Sequence, residues 1–287
     1  MTKAKRLREL LGSGKLIMAP GAYDVWSAKL IEASGFDAVY MTGYGVSASV
    51  IGKPDIGLMT FTEVALMAHN MVMALKVPLI ADCDTGFGNS LNVMRCVEEF
   101  EASGVAAIQL EDQLMPKRCG HMEGKVLIPK EEMEAKIRAA AAARRDPDFV
   151  IIARTDARAV YGFDEAVERA KAYVKAGADV IFFEAPQSAD EVRQVAKTLR
   201  VPLLSNMVEN GKTPLFSAEE LQELGYSIVI YPVTALYAAT KHMTETLAVL
   251  KKTGKITETS AYTCDFPSFN RMIGLAELRE LERSFSE

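Results

Sequence analysis

The sequence predicts an eight-stranded α/β barrel, and three observations lead to this fold class. Eight short, continuous apolar runs alternate with helical patterns along the chain. Four joints share one design, in which a helix ends at a glycine and an apolar strand follows within two or three residues; these glycines are Gly35, Gly104, Gly177 and Gly225. No G-x-G-x-x-G or Walker loop follows a strand, which disfavours the alternative of an open, doubly wound sheet. Apolar strands that alternate with helices indicate a parallel sheet, and eight such units match a closed barrel.

The elements follow in order along the first 252 residues, which we interpret as one catalytic barrel domain. Pro78 and Pro202 fall at strand starts, where proline is tolerated. The strands are predicted near residues 16, 38, 78, 106, 149, 179, 202 and 227. The helical segments between them include 62–75, 90–103, 130–145, 164–176 and 233–252.

The pattern changes after residue 252. Residues 253–267 are rich in Thr, Ser and Gly and indicate a linker, so 253–287 is predicted as a linker followed by a C-terminal helix. That helix, over 268–285, is amphipathic and needs a surface on which to bury its apolar side. Two alternatives stay open, because the helix could pack on its own barrel or exchange onto a neighbouring subunit.

Composition excludes several classes of protein. The 287 residues carry a net charge of -5, with a pI near 5.5, which disfavours binding to nucleic acid. The basic N-terminus lacks an apolar signal core, and no apolar stretch reaches the length of a membrane span. Four cysteines lack the spacing of a zinc finger and are too few for a disulfide framework. We therefore expect a cytoplasmic protein without a membrane or nucleic-acid partner.

Polar side chains follow five consecutive predicted strands. Asp82 and Asp84 end the third strand, and Glu111 ends the fourth. The next three strands end in Arg154, Glu184 and Asn206. A barrel enzyme builds its site from the carboxyl ends of its strands, so we expect these groups on one rim. Neighbouring carboxylates without His or Cys favour Mg²⁺, with Mn²⁺ as a possible substitute, although acids at strand ends can also be solvated or cap the next helix.

The loop after the fourth strand carries a second signal. Cys119 lies among Lys117, Arg118 and His121, and nearby positive charge lowers the pKa of a thiol. Such a thiol can donate a proton or act as a nucleophile, and Gly120 with Gly124 would leave the loop free to close over a site. The alternative is an exposed cysteine in a solvated basic patch.

Six motifs resemble the isocitrate lyase and phosphoenolpyruvate mutase superfamily. They are EDQLMPKRCGH at 111–121, DCDTGFG at 82–88, YMTGYG at 40–45, KPDIG at 53–57, ARTD at 153–156 and NMVENGKTP at 206–214. Together they extend over nearly the whole chain. The KRCGH motif is that of the lyase branch, which acts on substrates such as 2-methylisocitrate and 2,3-dimethylmalate.

The resemblance implies roles for residues that spacing alone does not assign. It implies that Asp84 binds Mg²⁺ directly, that Asp82 and Glu111 hold its waters, and that Cys119 is the catalytic acid. It also implies a homotetramer with exchanged C-terminal helices. The remaining implied catalytic residues are Tyr40 as a candidate base, Arg154, His121 and Glu184. The implied substrate-binding residues are Thr42, Gly43, Tyr44, Asp55, Lys117, Arg118, Gly120, Asn206, Thr213 and Pro214.

The predicted function is a Mg²⁺-dependent carbon-carbon lyase that cleaves a 2-hydroxy dicarboxylate to a 2-oxo acid, such as pyruvate, and a carboxylate. Two positions depart from related enzymes: Thr42-Gly-Tyr44 replaces the Ser-Gly-Gly of many methylisocitrate lyases, and Met207 stands where oxaloacetate hydrolases of the petal-death group tend to carry serine. These departures favour a methyl-tolerant malate lyase, followed by methylisocitrate lyase. The alternatives are an oxaloacetate hydrolase or decarboxylase, an enzyme resembling carboxyphosphonoenolpyruvate phosphonomutase, and a binding protein without catalysis.

Overall fold

Eight parallel strands close into a barrel in sequence order, with β8 paired to β1. The computed structural model describes residues 1–120, 122–255 and 263–286. The strands are β1 (Ile17–Ala22), β2 (Val39–Met41), β3 (Leu79–Asp82), β4 (Ala107–Glu111), β5 (Val150–Thr155), β6 (Val180–Phe183), β7 (Leu203–Asn206) and β8 (Ile228–Tyr231). Each strand begins one residue after its predicted position, so the predicted α/β barrel is confirmed.

Helices connect successive strands, and further helices precede β1 and follow β8. The helices are α1 (Lys3–Gly12), α2 (Val25–Ala33), α3 (Gly43–Ile51), α4 (Phe61–Ala74), α5 (Ser90–Ser103), α6 (Lys130–Ala143), α7 (Ala157–Val160), α8 (Phe163–Ala176), α9 (Ala189–Thr198), α10 (Ala218–Leu224), α11 (Thr234–Thr253), α12 (Phe266–Met272) and α13 (Leu275–Ser284). The five predicted helical segments agree with α4, α5, α6, α8 and α11 to within two residues.

The glycines at the four predicted joints all adopt the left-handed backbone conformation that ends a helix. Their φ angles are 87° at Gly35, 88° at Gly104, 117° at Gly177 and 90° at Gly225. A residue with a Cβ is strained at such angles, which explains why this joint is built on glycine. Each joint turns the chain from an outer helix directly into a strand.

Two layers of apolar side chains hold the barrel together, because successive residues of a strand point to opposite faces. Outward residues such as Leu79, Ile108 and Ile151 pack under the helices in the larger apolar cluster. Inward residues such as Ile80 and Ile152 fill the barrel interior in a second cluster. The interior is therefore a packed core, and any site must lie at an end of the barrel.

The chain divides into two compact units, Met1–Leu236 and Tyr237–Glu287, and the division falls early in α11. The predicted domain boundary at residue 252 stays a prediction. Residues 256–262 of the predicted linker lie outside the described residues. None of the described helices combines the length and apolarity that crossing a membrane requires.

The predicted helix over 268–285 is two helices, α12 and α13. Gly274 has a φ of 81° and separates them, and the backbone N–H of Ile273 closes α12 by donating to Phe269 O at 3.1 Å. The apolar periodicity continues across the break, which is why the pattern alone indicated one element. Within this unit, Phe266 and Phe285 are 79% and 81% exposed.

Candidate active site

The inward-facing positions of the strands change from apolar to polar at the carboxyl end of the barrel. Ile80 is followed on the same face by Asp82, Ala107 by Gln109 and Glu111, and Ile152 by Arg154, since the side-chain period of a strand is two. The groups at this end are Tyr40, Asp82, Gln109, Glu111, Arg154, Glu184 and Asn206, and all except the half-buried Asn206 are buried. Six consecutive strands, β2–β7, deliver them, and five of these, β3–β7, are the ones for which the sequence predicts polar groups at this rim.

Tyr40 belongs to the floor of this polar layer. Its hydroxyl donates to Gln109 Oε1 at 2.6 Å, and Gln109 Nε2 donates to Asp82 Oδ1 at 3.2 Å. Burial, together with the Asp82 carboxylate, raises the pKa of Tyr40 well above its usual value. A phenol in this state keeps its proton at neutral pH, which disfavours the predicted role of Tyr40 as a base. Gln109 was missed in the sequence, although its position two residues before Glu111 places it on the same face.

Three predicted acids converge beside the N-terminus of α3. A Cβ on Gly43 would lie 2.7 Å from Asp82 Oδ2 and 3.6 Å from Asp84 Oδ1, so both carboxylates approach the same point. Lys117 Nζ lies 2.6 Å from Asp84 Oδ1 and 2.6 Å from Asp55 Oδ1. The Lys117 ammonium is therefore shared by two carboxylates, and its positive charge is largely compensated before it can act on Cys119.

Burial dominates the ionisation of the two carboxyl groups Asp84 and Glu111, but not that of Lys117. It raises the pKa of Asp84 to about 6 against the opposing effect of Lys117, and it raises the pKa of Glu111 well above the usual range of a carboxyl. Burial alone would lower the pKa of Lys117, but the surrounding carboxylates, Asp84 foremost, outweigh it and raise that pKa well above its usual value. Additional positive charge at this point would stabilise the carboxylates in their ionised form.

The donor set suits a hard divalent cation. The oxygens of Asp82, Asp84 and Glu111 are the ligand type that Mg²⁺ prefers, and Glu111 Oε1 is buried without a hydrogen-bond partner among the described residues. No group of three His, Cys, Asp or Glu side chains in the described part is arranged to hold a metal directly. A Mg²⁺ ion that is bound directly by one carboxylate, and through water molecules by two others, does not need three side chains in direct contact. Asp82, Asp84 and Glu111 therefore fit Mg²⁺.

Arg154 is the centre of the other half of the layer. Its guanidinium donates to both oxygens of Asp156, at 2.9 and 3.1 Å, and lies 3.6 Å from Glu111 Oε2 and 3.7 Å from Glu184 Oε1. It also covers the ring of Phe182, 5.0 Å from the ring centroid. Two parallel hydrogen bonds fix the plane of a guanidinium, so Asp156 sets the orientation of Arg154.

The loop after β4 lies across this end of the barrel. Cys119 is half-buried, and Gly120 contacts the barrel groups so closely that a Cβ there would lie 2.1 Å from Glu184 Oε1 and 2.3 Å from Arg154 Nη2. The structure thus brings the segment that carries Cys119 onto Arg154 and Glu184. His121 lies outside the described residues.

The other predicted positions differ in how they relate to this layer. Asn206 Nδ2 donates to Glu184 Oε2 at 3.3 Å, and Thr42 caps α3 by accepting from the backbone of Gly45. Tyr44 is half-buried and Thr213 is buried.

Arg118 and Pro214 are exposed, and Arg118 Nη1 donates to the carbonyl of Glu123 at 2.8 Å. Met207 packs in the apolar layer outside the barrel, where its sulfur accepts from the backbone N–H of Phe216 at 3.3 Å. The side chain of Met207 therefore points away from the site, and the inference that it disfavours a hydrolase is not supported.

A buried network behind the site was missed in the sequence. Asp112 Oδ2 accepts hydrogen bonds from Thr155 Oγ1 at 2.7 Å, Tyr173 OH at 2.8 Å and Arg169 Nη1 at 3.2 Å. Asp112 Oδ1 accepts from the backbone N–H of Asp156 at 2.9 Å. This carboxylate thus ties α8 to the end of β5, where Arg154 lies. Arg169 and Tyr173 on α8 could not be identified from the sequence. A charged residue on a helix usually lies at the surface and an aromatic residue usually packs in the core, so neither one indicates a buried polar network.

The fold and this site define the class of protein. The chain matches the family described as phosphoenolpyruvate phosphomutase over residues 7–251, and it belongs to that family within the phosphoenolpyruvate mutase and isocitrate lyase superfamily.

Individual relatives are similar over most of the chain. It is 51% identical to 2,3-dimethylmalate lyase of Eubacterium barkeri over 286 residues, which are 100% of this chain and 99% of the relative. It is 50% identical to 2-methylisocitrate lyase of Aeropyrum pernix over 235 residues, which cover 82% of this chain and 75% of the relative. Both relatives are named lyases, the class of enzyme that the sequence analysis predicted.

Solved structures agree with the same assignment. A 2,3-dimethylmalate lyase superposes with a TM-score of 0.93 at 40% identity, covering 99% of this chain and 95% of that one. Oxaloacetate acetylhydrolase bound to 3,3-difluorooxalacetate superposes at 0.94 with 37% identity, covering 99% and 97%. Phosphonopyruvate hydrolase bound to oxalate and Mg²⁺ superposes at 0.90 with 35% identity, covering 100% of both chains.

Proposed function

We propose that this protein is a Mg²⁺-dependent carbon-carbon lyase that cleaves a 2-hydroxy dicarboxylate of the 2,3-dimethylmalate or 2-methylisocitrate type. The observation that carries the proposal is the contact of Gly120, the residue after Cys119, with the Arg154–Glu184 pair at the end of the barrel. The relation to named lyases at up to 51% identity supports the same chemistry.

The reaction breaks the bond between C2 and C3 of the substrate. The C2 hydroxyl loses its proton and becomes the carbonyl of a 2-oxo acid, while the bonding electron pair passes to C3, beside the departing carboxylate. Cys119 donates a proton to C3 and completes the second product. Arg154 stabilises the negative charge that develops on the departing carboxylate.

The alcohol proton requires an acceptor on the same rim. We assign this role to Glu184, because its carboxylate lies against Gly120 next to Cys119, while Tyr40 is committed as a donor to Gln109. Asp84 would ligate Mg²⁺ directly, and Asp82 and Glu111 would bind its waters. When bound, Mg²⁺ supplies Lewis acidity that lowers the pKa of the substrate alcohol.

The 2-oxo-acid half of the substrate is assigned to the N-terminus of α3. Gly43 and Tyr44 are the first residues of this helix, and Gly43 lies beside Asp82. Backbone N–H groups at a helix N-terminus attract anions, which suits a substrate carboxylate. Asp55 and Lys117 form the adjacent wall.

A substrate panel tests the proposal. The purified protein is incubated with Mg²⁺ and 2,3-dimethylmalate, other 2-alkylmalates, 2-methylisocitrate, oxaloacetate or phosphonopyruvate, and 2-oxo-acid release is followed. Turnover of an alkylmalate or of methylisocitrate is the expected result. Silence with all compounds despite ligand-dependent thermal stabilisation would favour a binding protein, and turnover of phosphonopyruvate alone would favour phosphonate chemistry.

Oxaloacetate hydrolysis is the second candidate. The likeness to oxaloacetate acetylhydrolase, at a TM-score of 0.94, favours it, and the outward orientation of Met207 removes one argument against it. Release of oxalate and acetate from oxaloacetate at a rate above alkylmalate cleavage would make it the first.

We further propose a cytoplasmic homotetramer with exchanged C-terminal helices. The exposed apolar side chains of α12 and α13, among them Phe269, Leu278 and Leu281, support a partner surface, since burying them would stabilise an assembly. A reducing compartment keeps the Cys119 thiol available. Light scattering of the protein against a variant truncated after residue 255 tests the assembly, with loss of the tetramer as the expected result.

A further inference from the structure

The described residues 113–120 and 122–127 of the loop between β4 and α6, called the lid below, are joined at their base by a short antiparallel bridge. Gln113 pairs with Leu127, and the backbone N–H of Leu114 donates to Val126 O at 2.8 Å. The side-chain amide of Gln113 holds the N-terminal half of the lid, because it donates to Arg118 O at 2.8 Å and accepts from Arg118 N at 2.9 Å. These contacts shape the lid, but they do not attach its tip to the barrel.

Apart from Leu127 at its base, which is buried in the larger apolar cluster, apolar packing does little to hold the lid in place. Leu114, Met115 and Val126 are 50%, 38% and 56% exposed. A segment with few buried apolar contacts opens locally at low free energy unless polar contacts restrain it. The position of Cys119 over the site therefore depends on the buried polar contacts of the lid.

Lys125, in the C-terminal half of the lid, makes a buried polar contact of this kind. Its side chain is only 2% exposed, its ammonium lies 3.1 Å from Asp156 Oδ1, and it donates a hydrogen bond to the carbonyl of Gly120. One cation thus joins three parts of the molecule: its own position in the lid, the lid tip at Gly120, and β5 through Asp156. Asp156 is in turn the carboxylate that fixes the guanidinium of Arg154.

We propose that Lys125 is a positioning residue that holds the lid closed, so that Cys119 and Gly120 lie against Arg154 and Glu184. Asp156 binds both Lys125 and Arg154, the residue proposed to recognise the substrate. The same carboxylate therefore positions the lid, which carries Cys119, and the guanidinium of Arg154. This inference rests on the proposed function only for the acid role of Cys119. The contacts of Lys125 are independent of that role.

The contrast with Lys117 makes the assignment specific. Both lysines are buried and belong to the same lid, but Lys117 pairs with Asp55 and with Asp84, just after β3, whereas Asp156 follows β5. Lys117 thus belongs to the proposed metal and substrate groups. Lys125 donates directly to the carbonyl of Gly120. Among the described residues, Lys117 makes no such contact.

The test measures how fast a neutral alkylating reagent, iodoacetamide, modifies Cys119 in the whole protein without substrate. Cys83 and Cys96 are buried and Cys264 is exposed, so a Cys264→Ala background leaves Cys119 as the one accessible thiol. The rate is taken at a pH well above the thiol pKa, where loss of a nearby positive charge cannot reduce the thiolate fraction. We expect Lys125→Met to raise this rate by about tenfold or more, because the lid then opens more often.

Two variants separate positioning from general destabilisation. Lys125→Arg keeps a charged donor and should stay near the parent rate, whereas exposed Lys171→Met on α8 should change nothing. Asp156 keeps its pair with Arg154 after Lys125→Met, so no buried charge is left alone, and thermal unfolding verifies that the variant is folded. With substrate, Lys125→Met should lower kcat on the order of 100-fold, as expected when a catalytic group is misplaced by about 1 Å.

An alkylation rate in folded Lys125→Met that is unchanged or slower than in the parent would overturn the proposal. A raised rate in a protein that is silent with every compound of the substrate panel would support the latch and reject the lyase function. Lyase turnover by the parent together with an unchanged alkylation rate in Lys125→Met would support the lyase function and reject the role of Lys125. The two proposals therefore fail separately.

Discussion

Gly120 is the point at which the lid meets the barrel, and its replacement by alanine tests the arrangement of the site directly. The new Cβ would lie 2.1 Å from Glu184 Oε1 and 2.3 Å from Arg154 Nη2, whereas ordinary contacts begin near 3.4 Å. About 1 Å of movement is needed to relieve these contacts. Arg154 is held by two hydrogen bonds to Asp156, so the lid should move rather than the barrel.

The displacement predicts the size of the effect. Moving the acid of Cys119 by about 1 Å should lower kcat on the order of 100-fold, a barrier increase of about 2.7 kcal/mol. Stability should change little, because the φ of Gly120 is not in the left-handed region and the lid can accommodate the methyl group by opening. The loss should therefore appear in turnover and not in folding.

The assay compares kcat, KM and the thermal midpoint of Gly120→Ala with those of the parent and of Gly12→Ala. Gly12 ends α1, has nothing within 4 Å of a built Cβ, and serves as the matched control. A Gly120→Ala protein whose kcat stays within about threefold of the parent, below roughly 0.7 kcal/mol, would show that the lid does not close on Arg154 and Glu184 during turnover.

Four further predictions concern the thiol, the metal and the buried network. Cys119→Ser should lose on the order of 100 to 10,000-fold in kcat with little change in KM, because a hydroxyl is a weaker acid; a loss below about tenfold would reject its role. EDTA should abolish turnover and Mg²⁺ or Mn²⁺ should restore it, so full activity in a chelated preparation would count against a metal. Asp84→Ala should be more damaging than Glu111→Gln when the Mg²⁺ dependence of turnover is titrated, and equal effects would place the direct ligand elsewhere. Tyr173→Phe should lower the free energy of unfolding by about 1.5 to 3 kcal/mol in urea titrations, because it removes a hydrogen bond to a buried carboxylate, while exposed Tyr161→Phe should be neutral; equal stabilities would reject the network.

The strands were predictable because each is a continuous apolar run, and four of them are marked a second time by a glycine that ends the preceding helix. Gly104 illustrates this, since its φ of 88° ends α5 and β4 begins at Ala107. The apolar run alone was also sufficient, because β1, β3, β5 and β7 follow no such glycine joint and still begin one residue after their predicted positions. The break at Gly274 was missed because the apolar positions of α12 and α13 continue the same helical period on both sides.

The site was predictable in composition and less so in arrangement. The inward-facing residues of β3 change from apolar Ile80 to polar Asp82, and this change marks the end of the barrel core without any information from the other strands. Asp84 was placed with Asp82 by the two-residue period of a strand. The structure instead ends β3 at Asp82, and Asp84 has a φ of 46°, in a turn that brings its carboxylate back toward Gly43.

The sequence by itself determined the barrel, the rim on which its polar groups lie, and the loop that carries Cys119, because these depend on local periodicity and on which residue ends each strand. Only the tertiary structure decided which charges pair. Sequence spacing does not show which acids Lys117 and Lys125 pair with, yet Lys117 binds Asp84, just after β3, and Lys125 binds Asp156, just after β5. Coulomb attraction and the cost of burial act over distances of a few ångströms across the barrel, and sequence separation does not encode those distances.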